Sequence, residues 1–148
     1  MSGDADDAEL VDAIRTVIRL ARIAQQACEE VGLTLPQYRA LNSAVRGRRR
    51  SFELAQYSAV SRPAMSALTT GLERLGHFER RTAEADGRGV YFKLTKQGRA
   101  TLDAAERLLA ERFDEVLGDA LPSLRALDTE AIEAALDRQA DRDFGPST

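Results

Sequence analysis

Residues 54–98 read LAQYSAVSRPAMSALTTGLERLGHFERRTAEADGRGVYFKLTKQG, and this stretch decides the fold. A short helix over residues 52–58 and a tight turn lead to Ser61. Ser61 is a good N-cap, because its hydroxyl accepts a hydrogen bond from an otherwise unpaired backbone N–H group. The helix that it begins is predicted to run to about Leu75 and to stop at Gly76, which adopts left-handed backbone without strain.

The second half of the stretch has the two-residue period of a β-hairpin. Residues 78–82 and 90–94 flank a polar connection that contains glycine, a pattern typical of two paired strands. Val90, Phe92 and Leu94 are expected to face inward. A helix-turn-helix followed by such a hairpin is a winged helix-turn-helix, so the predicted fold class is mainly α with a small β-hairpin wing (α+β).

The second helix of this unit has the composition of a recognition helix. Its inward stripe is predicted to be Met65, Leu68, Leu72 and Leu75. The opposite face then carries Pro63, Ser66, Ala67, Thr70 and Arg74. Small and polar side chains allow a helix to approach base edges in the major groove. Arg62 lies at the amino end, where the helix dipole favours a phosphate. The alternative is an ordinary amphipathic helix with a polar outer face.

Charge is segregated along the chain. Residues 46–99 hold twelve basic and five acidic residues, a net +7, whereas the rest of the chain sums to −10. A positive centre between negative flanks indicates a polyanionic partner, double-stranded DNA. Within it, Arg48, Arg49 and Arg50 belong to a basic run predicted to be a loop. That loop is interpreted as a clamp for DNA phosphates or a solvated segment. The alternative is a site for an anionic ligand, such as a phosphorylated or coenzyme-A-linked metabolite.

The predicted hairpin tip carries Asp86-Gly87-Arg88-Gly89. An arginine at a wing tip can enter the narrow minor groove, and Asp86 can hold the tip in shape by pairing with a nearby arginine. In the alternative interpretation, Arg88 is a solvated turn residue.

Long helices are predicted on both sides of this centre. Residues 8–32 and 99–143 carry apolar stripes that a lobe of residues 34–98 is too small to cover, which favours a second copy as the partner. The first helix is predicted to end at Gly32, and Thr34-Leu35-Pro36-Gln37 is predicted to be the capping box that begins a second helix. Pro122 is predicted to end the helix that Thr95 begins. All 148 residues are interpreted as one domain with a helical dimerisation region.

An ordered set of motifs resembles the MarR (multiple antibiotic resistance regulator) family of transcriptional regulators. The motifs are Leu54-Ala55-Gln56, Val60-Ser61-Arg62-Pro63, Leu72-Glu73-Arg74-Leu75-Gly76, Asp86-x-Arg88 and Leu94-Thr95-x-x-Gly98. The resemblance implies a homodimer with interlocking terminal helices, one recognition helix per half-site of a near-palindromic operator, and wings in the flanking minor groove. It places Ser61, Arg62, Pro63, Ser66 and Thr70 on the recognition helix, and Asp86 and Arg88 on the wing.

The same resemblance implies a ligand-responsive repressor that is released by a small aromatic, phenolic or acyl-CoA-like anion. Two departures weaken individual contacts. Ala67 stands where many members have a basic or polar residue, and Gly87 replaces a frequent arginine.

Composition argues against several other functions. One Cys28 and one His77 give no predicted metal site, and no catalytic or cofactor motif is present, so neither an enzyme nor a cofactor is expected. No secretory signal or membrane span is predicted, which favours the cytoplasm. Cys28 is interpreted as a buried, inert thiol. The alternatives are a redox-sensing repressor acting through Cys28 and a winged-helix adaptor that binds protein.

Overall fold

The computed structural model describes residues 2–47, 49–58, 60–82 and 89–144. The helices are α1 (Ser2–Glu30), α2 (Leu35–Ser43), α3 (Ser51–Ser58), α4 (Arg62–Arg74), α5 (Lys96–Leu117), α6 (Leu121–Arg125) and α7 (Thr129–Phe144). The strands are β1 (Arg49–Arg50), β2 (Phe78–Thr82) and β3 (Val90–Leu94). Short 3-10 turns follow α2 and α5. The order confirms the predicted winged helix-turn-helix between long outer helices.

Side-chain caps fix where three of the helices begin. Thr34, Ser61 and Thr95 each accept a hydrogen bond from the backbone N–H three residues further on. At α2 the bond is reciprocal, because the Gln37 side chain accepts from the Thr34 N–H at 2.9 Å, and the predicted capping box is confirmed. Gly76 follows α4 at φ 75°, as predicted for the left-handed stop.

The core lies where the helix-turn-helix meets the sheet and the outer helices. Leu41 of α2, Leu54 of α3, Leu72 of α4, Phe92 of β3 and Leu102 of α5 are all fully buried and belong to one cluster. Full burial of one such side chain contributes about 1.5–3 kcal/mol. This core includes residues from α4, the wing and α5. The buried face of α4 therefore fixes its position relative to the wing and α5.

The prediction that Leu75 belongs to the inward stripe of α4 is wrong. Leu75 is 43% exposed, and Thr69 is buried in the stripe with Met65 and Leu72. The helix ends at Arg74, so Leu75 is already the C-cap and leaves the helical period. Thr69 tolerates burial because its hydroxyl lies 3.1 Å from the Met65 carbonyl oxygen of the preceding turn.

The sheet has a third strand that was predicted to be loop. Its order is β1-β3-β2, with Arg49 opposite Phe92 and Arg50 opposite Tyr91. Two residues are too few to show a period, and their pairing comes from a distant segment of the chain. The basic run therefore meets the wing at the edge of the sheet.

The outer helices differ from the expectation at one boundary. Helix α5 ends at Leu117 with Gly118 as its C-cap, and Pro122 lies in the first turn of α6. Proline is tolerated in a first turn because that turn leaves backbone N–H groups unpaired, so the predicted end at Pro122 is wrong. Helix α1 packs along α5 and is joined to it by an ion pair of 2.8 Å between Glu30 and Arg112.

The amino-terminal half of α1 and the last helices expose large apolar side chains. Ile18 of α1 is 66% exposed and Leu136 of α7 is 56% exposed. The exposed apolar residues of these regions are Leu10, Val11, Ile14, Val17, Ile18, Val116, Leu127, Ile132 and Leu136. None of the helices in the described part of the chain is long and apolar enough to cross a membrane.

Candidate nucleic-acid interface

Helix α4 presents a polar face and buries the opposite one. Ser61, Arg62, Pro63, Ser66, Ala67 and Arg74 are exposed, and Thr70 is half-buried. The structure thus brings every sequence-predicted residue of the recognition helix to one exposed element. At about 1.5 Å per residue, the helix from Arg62 to Arg74 is roughly 20 Å long.

The middle of the exposed face of α4 carries only small side chains, which leaves room for close approach of a partner. The side chain of Ala67 ends at Cβ, and those of Ser66 and Thr70 extend only one bond beyond it. Hydroxyl groups can donate to or accept from base edges, and methyl groups can contact thymine. Arg62 lies in the first turn, where backbone N–H groups attract an anion. This face therefore has the shape and chemistry to enter a major groove.

An ion pair that no sequence motif predicts joins α4 to the wing. Arg80 of β2 donates from Nε and Nη2 to Glu73 Oε1 at 3.1 and 2.9 Å. Its guanidinium carbon also lies 5.2 Å from the centre of the Phe92 ring. Residues 46–99 contain twelve basic residues, and the charge of Arg80 is paired within the protein. Arg80 stands seven positions after Glu73, but the α4–β2 turn lies between them, so no single helical or strand period predicts their contact.

The basic run and the base of the wing form one sheet. Arg50, Tyr91 and Arg81 lie directly opposite one another across β1, β3 and β2, and so point to the same face. Arg50 and Arg81 are exposed, and the Arg50 N–H donates to Glu53 at the start of α3. The Arg50 guanidinium is exposed and can bind a phosphate, whereas the Arg81 guanidinium is already paired with Glu79. The alignment of Arg50, Tyr91 and Arg81 was not predicted from the sequence, because β1 forms only by pairing with the distant strand β3.

Part of the predicted interface lies outside the described residues. These are Arg48 and the wing tip with Asp86 and Arg88; for Arg49 the structure describes the backbone in β1. At the base of the described wing, Lys93 is exposed opposite Glu79, and Glu79 pairs with Arg81 at 2.6 Å.

Cys28 and His77 are both buried. Cys28 is 0% exposed, and burial raises the pKa of its thiol, against the opposing effect of Arg39. Because the thiolate is the reactive form, this environment disfavours oxidation. His77 is 6% exposed, and burial lowers its pKa. No group of three or more metal-ligating side chains is found among the described residues.

A groove of about 550 Å³ runs between α1 and α5. It is lined by Ile23, Gln26, Ala27, Glu29, Glu30, Arg112, Glu115 and Val116. Three glutamates face a single arginine there, so the groove suits an anion poorly.

No family model and no curated protein matches the chain. Solved structures do. The transcriptional repressor CouR, bound to a 23-mer DNA duplex, is 27% identical, with a TM-score of 0.64 and 89% of each chain covered. The MarR family protein Rv2887 of Mycobacterium tuberculosis, in complex with salicylic acid, is 26% identical, with a TM-score of 0.62, covering 86% of this chain and 92% of that one.

NadR, in complex with 4-hydroxyphenylacetate, is 22% identical with a TM-score of 0.68, and the match covers 88% of this chain and 90% of that one. These neighbours are MarR-family regulators, and the resemblance read from the sequence is confirmed. One of them holds DNA, and two hold small aromatic acids.

Proposed function

We propose that the chain is a DNA-binding transcriptional repressor that acts in the cytoplasm as a homodimer. Residues 34–98 form its DNA-binding lobe, and residues 8–32 and 99–143 its dimerisation region, all within one domain. Each protomer places α4 in the major groove at one half-site of a near-palindromic operator, with the wing in the flanking minor groove. The observation that carries the proposal is α4 itself, capped at Ser61, buried on one face and small and polar on the other.

Support for the homodimer comes from the exposed apolar residues of α1. Leu10, Val11, Ile14, Val17 and Ile18 recur at helical spacing and are all exposed. A contiguous apolar stripe of this kind marks an interface, and symmetric dimers are the commonest oligomers. A dimer also supplies the two recognition helices that a near-palindromic operator requires.

Electrostatics supports DNA as the partner. The positive charge of residues 46–99 coincides with α4 and the sheet, and includes the exposed residues Arg62, Arg74 and Arg50. A protein that neutralises phosphates releases counterions, so its affinity falls steeply with salt. The test is fluorescence anisotropy on the DNA upstream of the protein's own gene, across a salt series. We expect a steep decline in affinity, and absence of binding at every salt concentration would favour a protein-binding adaptor.

Single substitutions separate base contacts from positioning contacts. Ser66→Ala and Thr70→Ala are expected to weaken operator binding more than binding to unrelated DNA. Arg88→Ala is expected to weaken operator binding with dimer mass and helix content unchanged, because it removes the minor-groove contact. If the substitutions on α4 lowered both affinities equally, α4 would contribute no sequence preference.

The effector is proposed to be a small aromatic, phenolic or acyl-CoA-like anion that shifts the dimer away from its DNA-competent spacing. Two structural neighbours contain 4-hydroxyphenylacetate or salicylic acid, both aromatic carboxylic acids. The acidic groove between α1 and α5 is not proposed as its site. Titration of the DNA complex with salicylate, 4-hydroxyphenylacetate and acetyl-coenzyme A tests this part, and release by none of them would contradict it.

A further inference from the structure

The carboxyl end of α4 is held by the first turn of α5. Three successive carbonyl groups accept hydrogen bonds from it. The Gln97 side chain donates to the Leu75 oxygen at 3.1 Å, the Thr95 hydroxyl donates to the Gly76 oxygen at 2.6 Å, and the Thr95 N–H donates to the His77 oxygen at 3.0 Å. The last carbonyl groups of α4 itself are bonded locally, since Gly71, Leu72 and Glu73 accept from the backbone N–H groups of residues 75–77. The carbonyl groups of the three residues that follow α4 take their partners from Thr95 and Gln97.

Backbone packing tightens the same junction. A Cβ atom on Gly98 would lie 2.3 Å from the His77 oxygen, so only glycine allows this approach. From this junction, α5 continues through buried Leu102 and Ala105 and packs along α1. Helix α5 therefore begins beside the end of the recognition helix and continues without interruption into the proposed dimer scaffold.

We propose that Gln97 and Thr95 are positioning residues that fix the angle between the recognition helix and the scaffold, and so set the half-site spacing that the dimer accepts. The inference rests on the proposed function. A helix fixed to the scaffold reads half-sites at one separation, since each inserted base pair displaces a half-site by about 3.4 Å and rotates it by roughly 35°. Loosening the junction makes several separations acceptable.

Gln97 separates this role from a simple effect on helix stability. Its side chain is exposed and occupies the second position of α5. Gln97→Glu keeps the shape and adds negative charge near a helix amino terminus, which stabilises the helix. The same change removes the N–H group that donates to Leu75. If Gln97 only stabilises the helix, Gln97→Glu should preserve or increase the discrimination between half-site spacings. If Gln97 is a positioning residue, the same change should reduce that discrimination.

The experiment uses the full chain and an operator selected by the wild-type protein from random-sequence duplexes. Affinity is measured for that operator and for versions with one base pair inserted or removed between the half-sites. Gln97→Ala and Gln97→Glu are each expected to reduce the discrimination between spacings about two- to tenfold, the range for loss of one hydrogen bond. Gln139→Ala, at an exposed glutamine of α7 that bonds to Asp143, is the matched control. Unchanged discrimination in both Gln97 variants overturns the proposal.

A second readout needs no DNA. Amide hydrogen exchange over residues 75–82 is expected to be faster in Gln97→Ala than in wild type, with exchange over α1 unchanged. If exchange over residues 75–82 is equal in Gln97→Ala and wild type, Gln97 does not hold this segment and the proposal fails. If the wild-type chain selects no operator, the proposed function and the spacing role both fail, and the exchange result still shows whether Gln97 holds the end of α4.

Discussion

Replacing Gly98 with alanine tests how tightly α5 meets the end of α4. The added Cβ would lie 2.3 Å from the His77 oxygen and 2.9 Å from Leu94 Cδ1. The carbonyl has little freedom to move away, because it accepts the Thr95 N–H at 3.0 Å. Forced overpacking costs about 1–3 kcal/mol, against a gain of at most about 1 kcal/mol from replacing a helical glycine. We expect a net loss of about 1–2 kcal/mol.

Gly71→Ala is the matched control. Gly71 is also helical, but its added Cβ would meet only the end of the flexible Gln37 side chain, at 3.4 Å. This change should stabilise the fold by about 0.5–1 kcal/mol. At roughly 2–4 °C per kcal/mol, the two variants should move Tm in opposite directions. Thermal unfolding at one fixed protein concentration measures both, and a Gly98→Ala variant as stable as wild type would refute the argument.

Three further predictions concern single side chains. Ser61→Ala should cost about 0.5–2 kcal/mol in urea unfolding, because α4 loses its N-cap, whereas Ser61→Asp should restore most of the loss. Burial lowers the pKa of His77 below 6.5 in the folded state, so the unfolded chain binds more protons and stability should fall as pH drops through 6.5. His77→Gln should remove that slope, and since the chain has one histidine, a slope that persists would contradict the assignment. Cys28 should react with a thiol reagent only after unfolding, and hydroperoxide should leave DNA binding intact; inactivation by hydroperoxide that Cys28→Ser resists would instead support the redox-sensing alternative.

The sequence was sufficient to predict the helix starts and hairpin strands that depend on interactions between neighbouring residues. Capping residues Thr34, Ser61 and Thr95 stand at the beginnings of the helices they were predicted to cap. The hairpin strands lie at residues 78–82 and 90–94, as predicted. Val90, Phe92 and Leu94 mark the second strand by their alternation, and the polar connection before it marks where the first strand ends. In each case, the deciding interaction spans only a few residues.

Features that depend on distant residues could not be read in the same way. Strand β1 exists only through pairing with β3, and Arg80 meets Glu73 only after the α4–β2 turn. The exposure of Leu75 follows from where α4 ends, which a periodic pattern does not mark. Gln97 carries no signal in the sequence, since an exposed glutamine in a first helical turn is ordinary, and its bond to Leu75 crosses 22 residues.

The central claim is that α4 reads DNA sequence as one of a symmetric pair. Sequencing the duplexes that the purified protein retains from a random library tests it most directly. We expect an enriched inverted repeat with half-sites centred about 10 base pairs apart, or a multiple of that distance. The same selection with the double variant Ser66→Ala, Thr70→Ala should enrich a different or weaker repeat. Retention of DNA without any enriched sequence would contradict the claim.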